Sequence, residues 1–393
     1  MSNPVRLGII GIGNQGSHYA RCLTSGDWPD TGLVLTAIAD INPARLSWAE
    51  QTLPEGVARF DDALAMLDSG LIEACVVSVP HYDHPKYVMA CMERGIHVMC
   101  EKPAGVYTEQ VRAMNACADQ RPEVVFGVMF NQRTNCVYRK MRELVRSGRY
   151  GRVRRANWLI TDWYRSQYYY DSGDWRATWA GEGGGVLLNQ CPHQLDLFQW
   201  ILGMPEKVRA FMRFGAFHDI EVEDDVTALM TWPDGHTGVF ITSTGDPHGS
   251  NRFEVQMDGA QLLVEHDRLT VYELERLEQD WARTNTAPFG SVPGRIFEPE
   301  TDGENPQHRG VLTKWAAAIR QGTPLVAAGQ EGINGLTLSN AMHLSAFTGE
   351  TVTLPLDERR YHDELMKRVA TSRRKTGGVA VVADTSNTFA GAK

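Results

Sequence analysis

The 393-residue sequence lacks the features that mark several other classes of protein. Positive charge is scarce: 39 Lys and Arg stand against 48 Asp and Glu, giving a net charge of −9 without a dense basic stripe. This balance argues against nucleic-acid and membrane-surface partners. No apolar run approaches the ~20 residues that span a bilayer. Only Met1 to Arg6 precede the first strand, too few for a signal peptide, so we expect a cytoplasmic protein.

Paired cysteines are also missing. The seven cysteines are odd in number and scattered, and no C-x-x-C pair occurs, which favours reduced and mostly buried thiols. His81, His84, Cys100 and Cys191 suggest a zinc site, but their spacing matches no compact ligand set. We therefore expect no metal site.

The strongest local signal lies at the start of the chain. A short apolar run ends in a G-x-G-x-x-G turn formed by Gly11, Ile12, Gly13, Asn14, Gln15 and Gly16. The first glycine permits a tight turn, the second lets a pyrophosphate approach the backbone, and the third lets the following helix pack on the strand. The N-terminus of that helix supplies free N–H donors and partial positive charge. The alternative is an ordinary glycine-rich turn between a strand and a helix.

A second apolar segment, residues 33–39, ends in Asp40, which is followed by Ile41. A carboxylate at the end of the second strand accepts hydrogen bonds from an adenosine ribose and repels a 2′-phosphate. NAD is therefore predicted over NADP. Arg45 is the residue that would explain the opposite preference.

Strands and helices of about ten residues alternate up to residue 130, which predicts a parallel sheet with right-handed crossovers. Strands are expected at 74–79, 96–100 and 124–130, and helices at 61–67, 85–94 and 108–118. Ligands bind such sheets at the carboxyl ends of the strands. The residues predicted there as further cofactor contacts are Ser78, Val79, Pro80, His84, Glu101, Lys102 and Asn131.

Beyond residue 130 the segments are longer and more polar, and several alternate with a period of two. They predict a meander of antiparallel strands with one free sheet face. A helix is expected after Pro192 and a loop over 287–306, and helices near 307–346 are expected to pack back on the first domain. The length predicts two domains: residues 1–128 for the dinucleotide, residues 129–375 for substrate and oligomer contacts, and a tail, 376–393.

Two residues are candidates for proton transfer. Lys102 ends a buried strand, where desolvation lowers a lysine pKa towards the range of a proton acceptor. His193 begins a helix after a glycine-rich loop, a position that keeps an imidazole neutral. Asp196 lies on the same helix face and is expected to orient the imidazole ring. A surface lysine and a histidine with only a local hydrogen bond are the alternatives.

The segment 161–176 is dense in aromatic residues with interleaved Arg and Asp. Aromatic faces suit the C–H groups of a sugar ring, and guanidinium groups suit its hydroxyls. Packing between the two domains is an equal alternative. The substrate-binding candidates here are Tyr164, Arg165, Trp175 and Arg176.

Together these motifs resemble the Gfo/Idh/MocA oxidoreductases, the glucose–fructose oxidoreductase and inositol dehydrogenase type. The match runs from the glycine turn through Glu101-Lys102-Pro103 to the H-x-x-D motif at His193. The resemblance implies an α/β fold, with an N-terminal Rossmann domain and a C-terminal α/β domain that has an open, mostly antiparallel sheet and often forms dimer or tetramer contacts. It also implies NAD(P)-dependent oxidation of a sugar or cyclitol hydroxyl, with Lys102 and His193 sharing the proton while hydride moves to nicotinamide C4.

The sequence departs from the family pattern at one position. Many members carry Asp four residues before the histidine, and here the residue is Asn189. An amide takes no proton, so Asn189 is expected to orient the substrate hydroxyl or the lysine ammonium. The Asn-Gln-x-Pro-His form is similar to the subset that acts on pyranosides or anhydrosugars.

Three functions fit these observations. The first is a dehydrogenase of a sugar, sugar derivative or cyclitol that works as a homodimer or homotetramer. The second is a glycoside-cleaving enzyme that retains and recycles NAD through oxidation and elimination. The third is a non-catalytic sensor of NAD or a metabolite, which would need neither Lys102 nor His193.

Overall fold

The computed structural model describes residues 3–373 and contains two sheets. The first sheet is parallel throughout. Its strands are β1 (Val5–Ile10), β2 (Leu33–Ala39), β3 (Ala58–Phe60), β4 (Ala74–Val77), β5 (His97–Cys100) and β6 (Phe126–Val128). They lie in the order β3-β2-β1-β4-β5-β6. The order reverses between β1 and β4, so a crevice opens beyond the carboxyl ends of these two strands.

Helices between these strands cover both faces of the sheet. They are α1 (Asn14–Ser25), α2 (Pro43–Thr52), α3 (Ala63–Asp68), α4 (His84–Glu93) and α5 (Thr108–Asp119). All four residues of β4 are buried, as expected for a parallel strand covered on both sides. The helix predicted from residue 61 begins at Ala63 because the Asp62 side chain caps it, accepting from the Leu64 N–H.

The second sheet has nine strands. They are β7 (Val153–Ile160), β8 (Lys207–Phe214), β9 (Glu223–Thr231), β10 (Thr237–Ser243), β11 (Asn251–Met257), β12 (Ala260–Glu265), β13 (Arg268–Leu274), β14 (Gly294–Phe297) and β15 (Val352–Thr353). Their order is β14-β13-β12-β11-β7-β10-β9-β8-β15, and the sheet is mostly antiparallel, as predicted. The predicted simple meander is wrong at its centre, where β7 and β10 pair in parallel. The long excursion between β7 and β8 makes a parallel return possible.

One face of this sheet is packed against helices. The helices of this part are α6 (Cys136–Arg146), α7 (Gln167–Asp171), α8 (Pro192–Leu202), α9 (Glu278–Thr284), α10 (Gln307–Gln321), α11 (Gly332–Thr348) and α12 (Glu358–Val369). Phe198 of α8 lies against the rings of Trp158, Phe240 and Phe253, with centroids 5.8 to 6.5 Å apart. These contacts fix α8, and therefore its N-terminal His193, on the sheet.

The two late helices pack differently. Trp315 of α10 is fully buried in the core of the first sheet, and its indole N–H donates to the Val125 carbonyl at 3.2 Å. α11 packs mainly on β8 and α8 and also reaches α5, where Asn340 bonds the backbone of Thr108 and Val106. The prediction that both helices pack on the first domain is therefore correct for α10. The second helix, α11, contacts elements of both domains, because it is apolar on several sides.

The predicted loop over 287–306 contains β14, which is a correction. Gly294 pairs with Leu274 of β13, and a Cβ at Gly294 would lie 2.4 Å from the Glu273 carbonyl oxygen. The glycine that suggested a loop is thus what allows close pairing of the strands. The predicted tail 376–393 lies outside the described residues.

Candidate active site

A cavity of about 1320 Å³ lies between the two sheets, at the carboxyl ends of the parallel strands. It is lined by residues of both domains. The predicted cofactor contacts that line it are Gly11, Gly13, Asn14, Gln15, Asp40, Ile41, Ser78, Val79, Pro80, His84, Glu101 and Lys102. The predicted substrate contacts that line it are Asn189, Arg165, Trp175 and Arg176. The predicted cofactor contacts and the predicted substrate contacts therefore line the same cavity.

The glycine turn has the geometry of a phosphate-binding turn. Gly11 has a φ of 83°, and a Cβ there would lie 2.4 Å from the Ser78 carbonyl oxygen; one at Gly16 would lie 1.9 Å from the Gly11 carbonyl oxygen. Gly13 lines the cavity, precedes α1, and has no atom within 4 Å of a built Cβ. No side chain caps α1, and the buried Asn14 Oδ1 has no partner among residues 3–373. Open space, uncapped N–H groups and an orphaned polar atom fit a bound dinucleotide phosphate.

Asp40 is held rigidly at the end of β2. Its Oδ2 accepts from the Ile12 N–H and its Oδ1 from the Asn42 N–H, both at 2.8 Å. Each carboxylate oxygen keeps a second lone pair for a ribose hydroxyl. Arg45 is half-buried and does not line the cavity, so Asp40 is the charged group at this end of β2 that faces it.

Lys102 follows β5 and enters the cavity from its first-domain side. Its Nζ donates to the backbone carbonyl of Asn189 at 3.0 Å, which joins the two domains at the site. Burial lowers the pKa of Lys102, and the nearby carboxylates of Glu101 and Glu182 oppose that shift. Glu101 is itself buried, accepting from the Tyr19 hydroxyl and from the Lys102 N–H at 3.1 Å.

His193 is buried, 1% exposed, and is not among the cavity-lining residues. Burial lowers its pKa far below the usual range, and the Lys102 ammonium lowers it further, so the ring is neutral and within electrostatic reach of Lys102. The expectation that Asp196 orients this ring is wrong. Both Asp196 oxygens accept from the guanidinium of Arg133 at 2.7 Å, because this side chain faces the turn at residues 131–134.

Asn189 connects several side chains of the site. Its Oδ1 accepts from the Tyr169 hydroxyl at 3.1 Å, and its Nδ2 donates to the buried carboxylate of Glu182. Burial raises the pKa of Glu182. The amide orientation is therefore fixed by a carboxylate on one side and a hydroxyl on the other.

The aromatic segment 161–176 places three of its six aromatic rings on the cavity wall. Trp163, Tyr169 and Trp175 line it together with the two arginines. Tyr164 does not: it is 54% exposed and outside the lining. The geometry favours the interpretation of the segment as a ligand wall, and Tyr164 is the one predicted substrate contact in it that lies outside that wall.

Six predicted residues lie outside the lining: Ile12, Gly16, Arg45, Asn131, Tyr164 and His193. Ile12 is buried in the core, and the Asn131 amide donates to Gln307 at 2.6 Å, tying α10 to the turn after β6. Asn131 therefore lies at the carboxyl edge of the parallel sheet, as predicted, but its side chain points to α10 and not into the cavity.

The lining residues that were not predicted from the sequence come from helices, a strand end and loops. They include Gln132, Tyr169, Gln190, Gln194, Glu265, His266, Asp267 and His308. Burial lowers the pKa of His308 to about 3. One signal was available for it: His308 follows Pro306 at the start of a helix, much as His193 follows Pro192. The hairpin residues 265–267 carry no comparable signal.

The candidate zinc ligands do not come together. Among the residues that the structure describes, no group of three or more His, Cys, Asp or Glu side chains is placed to hold a metal ion. The Cys191 Sγ lies 3.0 Å from the Thr242 hydroxyl, and the Cys100 Sγ donates to the Glu101 carbonyl. Within residues 3–373, no helix has the length and hydrophobicity of a bilayer-spanning segment.

Comparison with known proteins gives matches over most of the chain. Residues 5–129 match a family model described as an oxidoreductase family with an NAD-binding Rossmann fold, and residues 138–262 match the GFO/IDH/MocA C-terminal domain. Myo-inositol 2-dehydrogenase of Thermotoga maritima is 24% identical, with 89% of this chain and 98% of that protein covered. D-apiose dehydrogenase of Paraburkholderia graminis is 26% identical, with 83% and 85% covered.

Among solved structures, the WlbA dehydrogenase of Bordetella pertussis, in complex with NADH and UDP-GlcNAcA, superposes with a TM-score of 0.73. It is 25% identical to this chain, and the match covers 90% of this chain and all of that one. Some curated relatives are matched over only 47 to 68% of their length. The predicted fold is confirmed, with its parallel dinucleotide-binding sheet and its mostly antiparallel second sheet. The chain belongs to the GFO/IDH/MocA oxidoreductase family, whose N-terminal domain binds NAD.

Proposed function

We propose that this protein oxidises a secondary hydroxyl of a sugar, sugar derivative or cyclitol, with NAD as the hydride acceptor. The observation that carries this proposal is the position of Lys102. It lines the same cavity as the glycine turn and is bonded to the carbonyl of Asn189. Inositol and apiose dehydrogenases among the relatives support the substrate class.

The reaction needs a group that removes the hydroxyl proton as the C–H bond breaks. Lys102 supplies it, because burial lowers its pKa and so increases the fraction of neutral amine at a given pH. His193, kept neutral by burial, is the second member of the proton relay. Asn189 holds the lysine through its carbonyl. When bound, NAD supplies the hydride acceptor.

The cofactor preference should depend on Asp40. In Asp40→Ala the charge that repels a 2′-phosphate is gone, and we expect the ratio of kcat/KM for NAD to that for NADP to fall on the order of 100-fold. Asp40→Asn is the matched control for the structure of the loop. Its amide oxygen still accepts from a backbone N–H, so this variant removes the charge without removing that hydrogen bond. A parent enzyme that already prefers NADP would contradict this assignment.

The outer face of the nine-stranded sheet is the proposed surface for homodimer or homotetramer formation. Phe211 of β8, Leu229 of β9 and Leu159 of β7 are 63%, 48% and 36% exposed. The register places Val239 beside Leu229 and Ile241 beside Leu159 on the same face. A contiguous apolar patch of this kind favours association with another protein surface.

Substitution at the centre of this face tests the proposal. Leu229→Arg introduces a buried unpaired charge into any such interface, so we expect a shift from oligomer to monomer in light scattering coupled to size exclusion. Leu277→Arg, at an exposed leucine outside the strands, is the control and should keep the parent mass. A monomeric parent would show that the face is not a self-association surface.

A further inference from the structure

Two arginines of the cavity wall share one aromatic ring. The guanidinium carbons of Arg165 and Arg176 lie 5.3 and 4.7 Å from the ring centre of Tyr169. Each also stacks on a tryptophan, Arg165 on Trp163 at 5.7 Å and Arg176 on Trp175 at 4.7 Å. The rings hold both cations in place at the cavity and leave their donors available.

These arginines differ from many others in the chain. Arg154 and Arg252, for example, form ion pairs with carboxylates. Within the described range 3–373, neither Arg165 nor Arg176 has a carboxylate oxygen within 4.0 Å, although the whole chain carries an excess of acidic residues. The two charges therefore face the cavity without an ion-pair partner from residues 3–373.

The free donors lie on the edge of the guanidinium that recognises oxyanions. Arg176 uses Nη1 to donate to the Tyr169 hydroxyl at 2.9 Å, and Arg165 uses Nη1 to donate to the Tyr164 carbonyl at 2.9 Å. No hydrogen bond from Nε or Nη2 of either residue is found in residues 3–373. The Nε and Nη2 pair is the edge that forms two parallel hydrogen bonds with a carboxylate.

The nearest carboxylates are already engaged. Glu182, which interacts electrostatically with Arg176, accepts from the Ala177 N–H at 2.6 Å and from Asn189. Asp162, which also interacts electrostatically with Arg165, forms no ion pair with it within residues 3–373. Neither carboxylate therefore accepts a hydrogen bond from the Nε or Nη2 donors of Arg165 or Arg176.

The arginines are connected to the proposed reaction centre by short links. Arg176 donates to the Tyr169 hydroxyl, that hydroxyl donates to Asn189, and the Asn189 carbonyl accepts from Lys102. Lys102 and Arg176 are therefore joined by three hydrogen bonds, and Arg165 lines the same cavity.

We propose that the substrate carries an oxyanion, a carboxylate or a phosphate, bound by Arg165 and Arg176 while its hydroxyl is oxidised at Lys102. This rests on the proposed dehydrogenase function and narrows its substrate class to acidic sugars or cyclitols. The flat, paired donors favour a carboxylate. A neutral sugar would leave the paired Nε and Nη2 donors of Arg165 and Arg176 without an anion to bind, because neither side chain forms an ion pair within residues 3–373.

The test compares acids with their neutral counterparts. D-Glucuronate and D-galacturonate are measured against D-glucose and D-galactose, and D-glucose 6-phosphate distinguishes phosphate from carboxylate. Two readouts are used on the NAD-loaded full-length protein: NADH formation, and quenching of the fluorescence of Trp163 and Trp175, which line the cavity. We expect an acid to bind or react at least about 10-fold better than its neutral counterpart.

Variants show whether the arginines are responsible. Arg176→Gln should lower the preference for the acid over the neutral sugar on the order of 50-fold, whereas Arg176→Lys, which keeps the charge without the paired donors, should recover part of that preference. Arg276→Gln is the matched control, because Arg276 also stacks on a tryptophan, Trp281, but at the surface. NAD affinity, measured in parallel, should be the same in all variants.

The outcomes separate this inference from the proposed function. Acid binding that depends on Arg176 but yields no NADH supports the anion site and contradicts the dehydrogenase. NADH formation with neutral sugars at rates equal to or better than their acids supports the dehydrogenase and overturns the anion site. Absence of acid binding in the fluorescence titration also overturns it. Preference for the phosphate sustains the oxyanion site and rejects the carboxylate as its favoured form.

Discussion

Replacement of Lys102 by methionine is expected to lower kcat by about 1,000-fold. The methionine fills a similar volume but neither accepts a proton nor bonds the carbonyl of Asn189, which receives the lysine Nζ at 3.0 Å. NAD affinity should be close to that of the parent protein, because the glycine turn and Asp40 are untouched. Single-turnover formation of NADH measures the first quantity and isothermal titration of NAD the second.

The control is Lys314→Met, at an exposed lysine of α10, which should leave both quantities unchanged. A pH profile gives a second readout of the same prediction. Because burial lowers the pKa of Lys102, kcat/KM should rise with pH through a midpoint below the usual lysine range. Lys102→Met should lose that rising limb. Full activity in the methionine variant would remove Lys102 from the reaction.

Replacement of Arg133 by methionine is expected to destabilise the protein by about 3–5 kcal/mol. Arg133 is 3% exposed, and its guanidinium forms two bonds of 2.7 Å to Asp196 and one of 2.6 Å to Glu331. Burial raises the pKa of Asp196, and Arg133 opposes that rise. Without the guanidinium, the Asp196 carboxylate is left buried without a cation, on the same helix that carries His193, and keeps the Gln199 amide as a side-chain donor.

Denaturant unfolding measures the free energy of unfolding that Arg133→Met loses. Two further variants show whether the loss comes from the buried ion pair. Arg139→Met breaks a half-exposed pair with Asp302 and should cost far less stability than Arg133→Met. The double variant Arg133→Met with Asp196→Leu removes both buried charges and should recover much of the stability lost in the single variant. An equal cost for Arg133→Met and Arg139→Met would contradict the role of the buried network.

The parts of the site that the sequence predicted are those encoded by local backbone geometry. The glycine turn, Asp40 and Lys102 all follow from one rule, that ligands meet parallel strands at their carboxyl ends. The same rule failed for Asn131, because only tertiary packing decides that its amide turns to Gln307 of α10. Strand ends give the position of a residue but not the direction of its side chain.

Helix periodicity gave a similar partial result at His193. The spacing placed Asp196 on the same helix face, yet Arg133, 63 residues earlier, takes both oxygens of its carboxylate. The parallel pair of β7 and β10 and the lining residues 265–267 likewise depend on contacts between distant segments. Such contacts leave no periodic signal in a single sequence.

NADH absorbance measures directly whether the protein oxidises a sugar or cyclitol hydroxyl with NAD. The purified protein is mixed with NAD and a panel of acidic and neutral sugars, anhydrosugars, glycosides and inositols. We expect NADH in equal amount to a ketone product with one group of substrates, and none with Lys102→Met. Release of an aglycone without net NADH, or NAD binding without turnover of any substrate, would contradict it.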